Sequence, residues 1–190
     1  TSTLTSLELK PHNPTAHMSL GMIYKGLGQL DQALTSTLTS LELNPNNSTA
    51  HMNLGMIYRN LGKFYQAHAS TLKSLELNPE QSKAICKLGL IQMSLGQTSE
   101  ARESLLIAIK RNNQDCEAYH ALSIMLETTE EAEELIERMK LVKTSTLTPQ
   151  TRAFAEFTLS NCFHKIKNYD QASEHLQLAN KNSSTASPSN

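Results

Sequence analysis

Residues 14–47 read PTAHMSLGMIYKGLGQLDQALTSTLTSLELNPNN, and residues 48–81 read STAHMNLGMIYRNLGKFYQAHASTLKSLELNPEQ. The two segments are identical at 22 of 34 positions, which identifies them as copies of one unit. Residues 82–115 follow at the same step of 34 residues and keep a Leu-Gly pair, Leu88 and Gly89. A repeat of this length indicates stacked supersecondary units that share a continuous core, rather than one or two ordinary domains.

Each unit contains two apolar stretches with the period of an α-helix. In the first unit one stretch covers residues 16–27 and stops at Gly28, and the other covers residues 31–43 and stops at Asn44 and Pro45. Gly commonly follows the last residue of a helix, and Pro cannot continue one. Each unit is therefore predicted to be a helical hairpin.

The repeated positions resemble the tetratricopeptide repeat family, whose 34-residue unit pairs Leu, Gly and an aromatic residue on its first helix with Ala and Pro on its second. The resemblance implies an all-α fold, a right-handed α-solenoid of antiparallel helical hairpins. It also implies a concave groove, lined by the first helices, that holds peptides. The matching residues are Leu20, Gly21, Tyr24, Ala33 and Pro45; Leu54, Gly55, Tyr58, Ala67 and Pro79; and Leu88, Gly89 and Ala101.

Small residues at two of these positions allow close approach of the two helices of a hairpin. Gly21 on the first helix and Ala33 on the second let the backbones pack tightly, so a bulky residue at Gly55 should separate the second hairpin. His17 and His51 stand where the family has a large aromatic residue. They lie one repeat apart, too far to share a metal, so we interpret them as packing residues and predict neither a metal nor a cofactor.

Outside the three regular repeats, residues 14–47, 48–81 and 82–115, the pattern weakens. Residues 1–13 match the second half of a unit and are predicted to form the second helix of a truncated repeat, so we expect the chain to be a fragment of a longer protein. Residues 116–147 are predicted to form a degenerate helical hairpin with a shortened connection. Residues 148–181 follow as a C-terminal hairpin of the same type, and residues 182–190 are predicted to be a disordered tail or linker.

Composition narrows the class of partner and the compartment. The formal net charge of −1 provides no basic footprint for nucleic acid or an anionic membrane. No apolar run approaches the roughly 20 residues that span a bilayer. Cys86, Cys116 and Cys162 are odd in number and lack metal-ligand spacing, so they are predicted to be free thiols. These features favour a cytoplasmic protein.

The family resemblance also assigns groove positions, and these give an apolar, methionine-rich strip flanked by basic and amide groups. Methionine adapts to varied apolar side chains, and the basic residues could hold carboxylates, so we predict a protein or peptide ligand with apolar and acidic residues. The alternative is that the methionines only pack against neighbouring helices and that the charges are only solvated. The predicted groove residues are Met18, Met22, Lys25, Met52, Asn53, Met56, Arg59, Lys83, Lys87, Leu90 and Met93.

One subtype of the family grips the C-terminal carboxylate of chaperones with five polar residues on three first helices. Asn53, Lys83 and Lys87 match three of those places, whereas Met18 and Met22 occupy the other two. The resemblance to a chaperone-binding clamp is therefore incomplete.

An enzyme is the competing class, and the sequence supplies no phosphate-binding loop, zinc-binding HExxH or GxSxG motif. The acidic run at residues 130–134 is interpreted as favourable charge in the first turns of a helix. We therefore predict a non-catalytic protein–protein interaction scaffold.

Residues 155–181 resemble the hairpin that precedes the transferase domain in many bacterial fusions of tetratricopeptide repeats with sulfotransferases. On this alternative the chain is the repeat region of a larger bacterial protein and recruits or presents the acceptor. A third expectation is weak self-association through the truncated N-terminal end, where a terminal repeat would expose apolar surface.

Overall fold

The computed structural model describes residues 12–186. The prediction for residues 1–13 therefore falls almost entirely outside the described residues, as does the self-association predicted for that end. Within residues 12–186 the chain forms ten α-helices and one short 3₁₀ helix at Thr144–Thr146, with no strand. The helices are α1 Pro14–Gly26, α2 Leu30–Leu43, α3 Ser48–Asn60, α4 Phe64–Leu77, α5 Ser82–Ser94, α6 Thr98–Arg111, α7 Cys116–Ile124, α8 Thr129–Met139, α9 Pro149–Lys165 and α10 Tyr169–Ala186.

The chain divides into two compact units, one ending at Ala101 and the other beginning at Arg102. In the first unit α1 packs on α2 and α3 packs on α4, while α2 and α4 each contact the first helix of the next hairpin. In the second unit α9 packs on α10 and also contacts α7 and α8. The prediction of an all-α fold built from helical hairpins is confirmed.

Local sequence signals explain where the helices begin and end. The side chain of Asn13 accepts from the backbone N–H groups of the first turn of α1, and Asn47 does the same at α3. Gly28, Gly62 and Gly96 follow α1, α3 and α5, each with φ between 72° and 74°. This left-handed backbone favours Gly, so the turn of each regular hairpin depends on it.

Close approach of the two helices holds each regular hairpin together. Ala67 on α4 is fully buried, and a Cβ atom placed on Gly55 would lie inside van der Waals contact of Thr71 Oγ1 and 3.0 Å from the carbonyl oxygen of Ala67. The last hairpin has Ser160 in the position of this Gly, and its Oγ donates to the carbonyl oxygen of Ala172 at 2.9 Å. A hydrogen bond there lets a slightly larger residue occupy the same close contact.

The degenerate hairpin has a short first helix, α7, of nine residues. Arg102 reaches into the shortened turn, where it donates to the carbonyl oxygen of Met125 at 2.5 Å and to Glu131 Oε1 at 2.9 Å. Thr128 and Glu131 form a capping box at the start of α8. Glu131 of this acidic stretch therefore serves the helix N-terminus, in line with the interpretation from the sequence.

Two predicted boundaries can be compared with the C-terminal helices. Helix α9 begins at Pro149 with Thr148 as its cap, as the sequence predicts. Helix α10 extends to Ala186, five residues into the segment predicted to be a tail from residue 182. Once a helix exists, each further residue adds a backbone hydrogen bond at little nucleation cost, so the last turn forms without core packing.

Replacing Gly55 by Ala should destabilise the protein by about 1 to 3 kcal/mol, because the new methyl group would press on Thr71 and the backbone of Ala67. Gly26→Ala is the matched control, since nothing lies within 4 Å of a Cβ atom at Gly26. That control should be neutral or stabilise the protein by up to about 1 kcal/mol. Urea unfolding followed by circular dichroism measures both, and equal effects would contradict the close-approach argument.

His120 on α7 is enclosed by aromatic rings from α9. Its ring centroid lies 5.6 Å from that of Phe154 and 5.5 Å from that of Phe157. Its Nδ1 is buried and has no hydrogen-bond partner among the described residues. Burial lowers the pKa of His120 below its ordinary value of 6.5, although the charge of Glu117 acts in the opposite direction.

The depressed pKa of His120 predicts a stability that depends on pH. The unfolded chain binds a proton at this residue more readily than the folded chain, so the contribution is complete above about pH 6.5 and is lost as the pH falls below it. Lowering the pH from about 7.5 to about 5.5 should therefore destabilise the wild type more than a His120→Gln variant. Urea unfolding of both proteins at both pH values measures this difference, and an equal loss in the two would contradict it.

Candidate functional site

The first helices of the first unit lie side by side. Helix α3 contacts α1 on one side and α5 on the other. The Nε of Arg59 near the end of α3 donates to the Oγ of Ser94 at the end of α5, at 3.0 Å, which holds these two helices in register. We name the surface formed by α1, α3 and α5 the first-helix face.

Charge is segregated between this face and the second helices. Helices α1, α3 and α5 carry Lys25, Arg59, Lys83 and Lys87 and contain no Asp or Glu. Helices α2 and α4 carry Asp31, Glu42, Lys73 and Glu76, and Lys73 is paired with Glu76 at 2.8 Å. A surface with charges of one sign attracts ligands of the opposite sign, so the first-helix face favours carboxylates.

The structure separates the predicted groove residues by exposure. Met22 is 48% exposed, whereas Met52 and Met56 are each 8% exposed. Lys83 is exposed, and the remaining basic residues, together with Leu90 and Met93, are partly exposed. The packing interpretation therefore applies to Met52 and Met56. The accessible part of the predicted strip consists of Met22 on α1, the basic residues, and the partly exposed Leu90 and Met93 on α5.

Met18 also serves the core. It packs against the cluster of Leu41, Ala50 and Leu54, which joins the first hairpin to the second. The Nδ2 of Asn47 approaches its sulfur at 3.9 Å. The repeat position of Met18 in the sequence assigns it to the first-helix face. The sequence alone does not show that Met18 also contacts the next hairpin.

Asn53 is the polar residue of this face with an unsatisfied group. It is 5% exposed, and its Nδ2 has no hydrogen-bond partner among the described residues. A buried donor left unpaired costs about 1 to 3 kcal/mol. Because the Nδ2 atom is itself buried, it belongs to the packed interior of the first unit and not to the accessible surface of this face. Thr37 Oγ1 is also buried and unpaired, but it lies at the close contact with Gly21 inside the first hairpin.

The histidines and cysteines fit structural roles. His51 Nε2 lies 2.8 Å from the carbonyl oxygen of Pro45, and His175 pairs with Glu156 at 2.7 Å. All three cysteines are buried free thiols. Burial raises the pKa of Cys116 to about 11 and that of Cys162 to about 12, so these two thiols stay protonated and unreactive at neutral pH.

Comparisons with known proteins identify tetratricopeptide repeats in this chain. Residues 14–47 and 82–115 match one family profile described as "Tetratricopeptide repeat", and residues 37–69 match a second profile with the same description. A search of curated proteins finds no match. In residues 12–186 no helix is long and apolar enough to cross a membrane.

Solved structures share the fold at low sequence identity. The chain is similar to "YrrB: a TPR protein with an unusual peptide-binding site", with 21% identity, a TM-score of 0.59, and coverage of 96% of this chain and 92% of that one. The likeness to the "APC/C hetero-tetramer Cut9-Hcn1" has a TM-score of 0.81 at 17% identity and covers 96% of this chain and 36% of that one. The "First TPR of Spaghetti (RPAP3) bound to HSP90 peptide SRMEEVD" matches with a TM-score of 0.53 at 20% identity, covering 67% and 93%.

Burial predicts that the methionines respond differently to a charged substitution. Met56→Glu should destabilise the protein by about 2 to 5 kcal/mol, because it removes core packing and buries a carboxylate. Met22→Glu should change the free energy of unfolding by less than about 0.5 kcal/mol, because Met22 is half exposed. Urea unfolding of both variants measures this, and a similar cost at the two positions would contradict the difference in burial.

Proposed function

We propose that this chain is a non-catalytic scaffold that binds a peptide segment of a partner protein on the first-helix face. The observation that carries the proposal is the segregation of charge: three adjacent helices supply four basic residues and no acidic residue. The tetratricopeptide repeats support the general role, because such repeats typically serve as interaction scaffolds and not as catalysts.

The ligand chemistry follows from what this face offers. Lys83 and Lys87 lie one helical turn apart on α5, and Lys83 is exposed, so a ligand carboxylate can approach Lys83. Met22 supplies flexible apolar surface for a side chain of variable shape. A segment with acidic residues and one or more apolar anchors fits these groups.

The similar structures support this class of ligand by analogy. One of them has an unusual peptide-binding site, and another is bound to the HSP90 peptide SRMEEVD, which combines acidic residues with Met and Val. These proteins are at most 21% identical to this chain, so the likeness shows a shared fold and the ligand remains our proposal. The identity of the partner is decided by the side chains of the face and not by the fold.

The alternative function makes the same face the recruiting or presenting surface of a larger sulfotransferase-like protein. Its support is the sequence resemblance of residues 155–181. The charge segregation lies on α1, α3 and α5 and points to a carboxylate-bearing ligand irrespective of what the remainder of such a protein would do.

Charge reversal on the first-helix face should weaken partner binding. We expect Lys83→Glu with Lys87→Glu to weaken capture by at least about tenfold, because two attractive contacts become repulsive. The matched control is Lys63→Glu with Lys73→Glu, which changes the net charge by the same amount. Lys63 directly precedes the second helix α4, and Lys73 lies on it. Folding of both double variants is checked by circular dichroism.

The measurement is affinity capture with the 190-residue chain, followed by fluorescence anisotropy with acidic peptides cut from the captured protein. Loss of peptide binding in the Lys83 and Lys87 variant alone supports the proposal. Equal binding by all three proteins, or equal loss in both variants, would show that the first-helix face is not the specific site.

A further inference from the structure

A cavity of about 170 Å³ lies in the second unit between α6 and α8 and is partly open to solvent. Leu122 and Leu135 are nearly fully buried, whereas Leu106 at its edge is 42% exposed. The apolar lining of the cavity consists of Leu106, Leu122, Leu126 and Leu135. Its charged rim consists of Arg102, Glu131, Glu134 and Arg138. We name this cavity the leucine socket.

The repeat explains why the socket is hollow. In the first unit Leu34 and Tyr58 pack against the cluster that joins the first two hairpins, and Leu54 is part of that cluster. Moving two repeats along the chain, by 68 residues, replaces Leu34 with Arg102 and Tyr58 with Leu126. Leu54 keeps its identity as Leu122. Two side chains that fill the contact between the first two hairpins are therefore absent here.

Neither Arg102 nor Leu126 fills the space that Leu34 and Tyr58 occupy between the first two hairpins. The guanidinium of Arg102 bonds to the carbonyl oxygen of Met125 and to Glu131, so its charged end serves the turn between α7 and α8. Leu126 lacks the phenol ring of a tyrosine. An apolar hollow of this size loses dispersion contacts and can accept an aromatic or branched apolar group, as dry engineered cavities of about 150 Å³ do.

The charged residues around the opening of the leucine socket determine which residues can flank the apolar side chain of a ligand. Helix α8 carries five glutamates and one arginine. That arginine, Arg138, is paired with Glu134 at 2.6 Å, and Arg102 is paired with Glu131 at 2.9 Å. Glu127 lies 3.5 Å from Arg102, and the side chains of Glu127 and Glu134 remain 74% and 65% exposed despite these pairings, so six glutamates, Glu127 and the five of α8, face two arginines. The surroundings of the socket are therefore acidic, in contrast to the basic first-helix face.

We propose that the leucine socket is a second docking site, which takes one aromatic side chain of a partner segment that carries basic residues beside it. The socket supplies the volume of the missing tyrosine ring and leucine, and the exposed glutamates around α8 hold the flanking Lys or Arg side chains. This site is independent of the first-helix face, because the residues that form it lie on different helices and select the opposite charge.

The test uses three pentapeptides as probes of the intact chain: acetyl-Lys-Lys-Phe-Lys-Lys-amide, acetyl-Glu-Glu-Phe-Glu-Glu-amide and acetyl-Lys-Lys-Ala-Lys-Lys-amide. Leucine methyl groups labelled with ¹³C are followed by NMR, with Leu122 and Leu135 as reporters. The lysine-flanked Phe peptide should shift both reporters, with a dissociation constant on the order of millimolar. The other two peptides should bind at least about threefold more weakly.

Filling the socket provides the decisive control. Leu126→Tyr restores the residue of the first two repeats, and Leu126→Phe is a second filler without a hydroxyl group that needs a partner. Either folded variant should lose the reporter shifts, whereas Leu141→Phe, at a position that is 68% exposed and outside the socket, should keep them. Unchanged shifts in the filled variants, or equal shifts from all three peptides, would overturn the proposal.

Discussion

The contact between Gly on a first helix and Ala on a second helix is the constraint on which the regular hairpins depend. At Gly21 and Gly55 the opposing backbone and threonine side chain leave no room for a Cβ atom, so the two helices meet backbone to backbone. This close approach moves the larger side chains to the edges of the hairpin, where Leu41, Leu54 and Tyr58 join one hairpin to the next. Stacking is thus a consequence of tight pairing within each hairpin.

Stacking in turn decides which residues of a first helix can meet a ligand. Helix α3 has neighbours on both sides, so Met52 and Met56 are enclosed although they stand at the same repeat positions as Met18 and Met22. Charged side chains behave differently from these methionines. A long basic side chain on a first helix can pack along its apolar stem and still keep its charged end in water. The first-helix face therefore presents mainly basic side chains, with Met22 as an exposed apolar residue.

The sequence predicts the hairpins well because their signals are local. Gly28 and Gly62 adopt the left-handed backbone that ends a first helix, and Thr128 with Glu131 forms the cap that starts α8. The exposure of a side chain is not predicted in this way, because it depends on the neighbouring helices in the stack. A periodic sequence pattern does not show how much each neighbour covers. The burial of Met52 and the unpaired Nδ2 of Asn53 could be found only once α1, α3 and α5 had been placed side by side.

Departures from the repeat carry more functional information than the repeat itself. A position that recurs unchanged, such as Leu54 and Leu122, reports the packing that every hairpin needs. Arg102 departs from that pattern. It does not provide the apolar packing of Leu34, and it instead forms hydrogen bonds to the turn between α7 and α8, which contains no glycine. Arg102 therefore contributes both to the loss of packing at the leucine socket, together with Leu126, and to the order of the turn. A repeat scaffold acquires individual binding features in this way, because a contact can change at one hairpin while the close pairing that forms the others is retained.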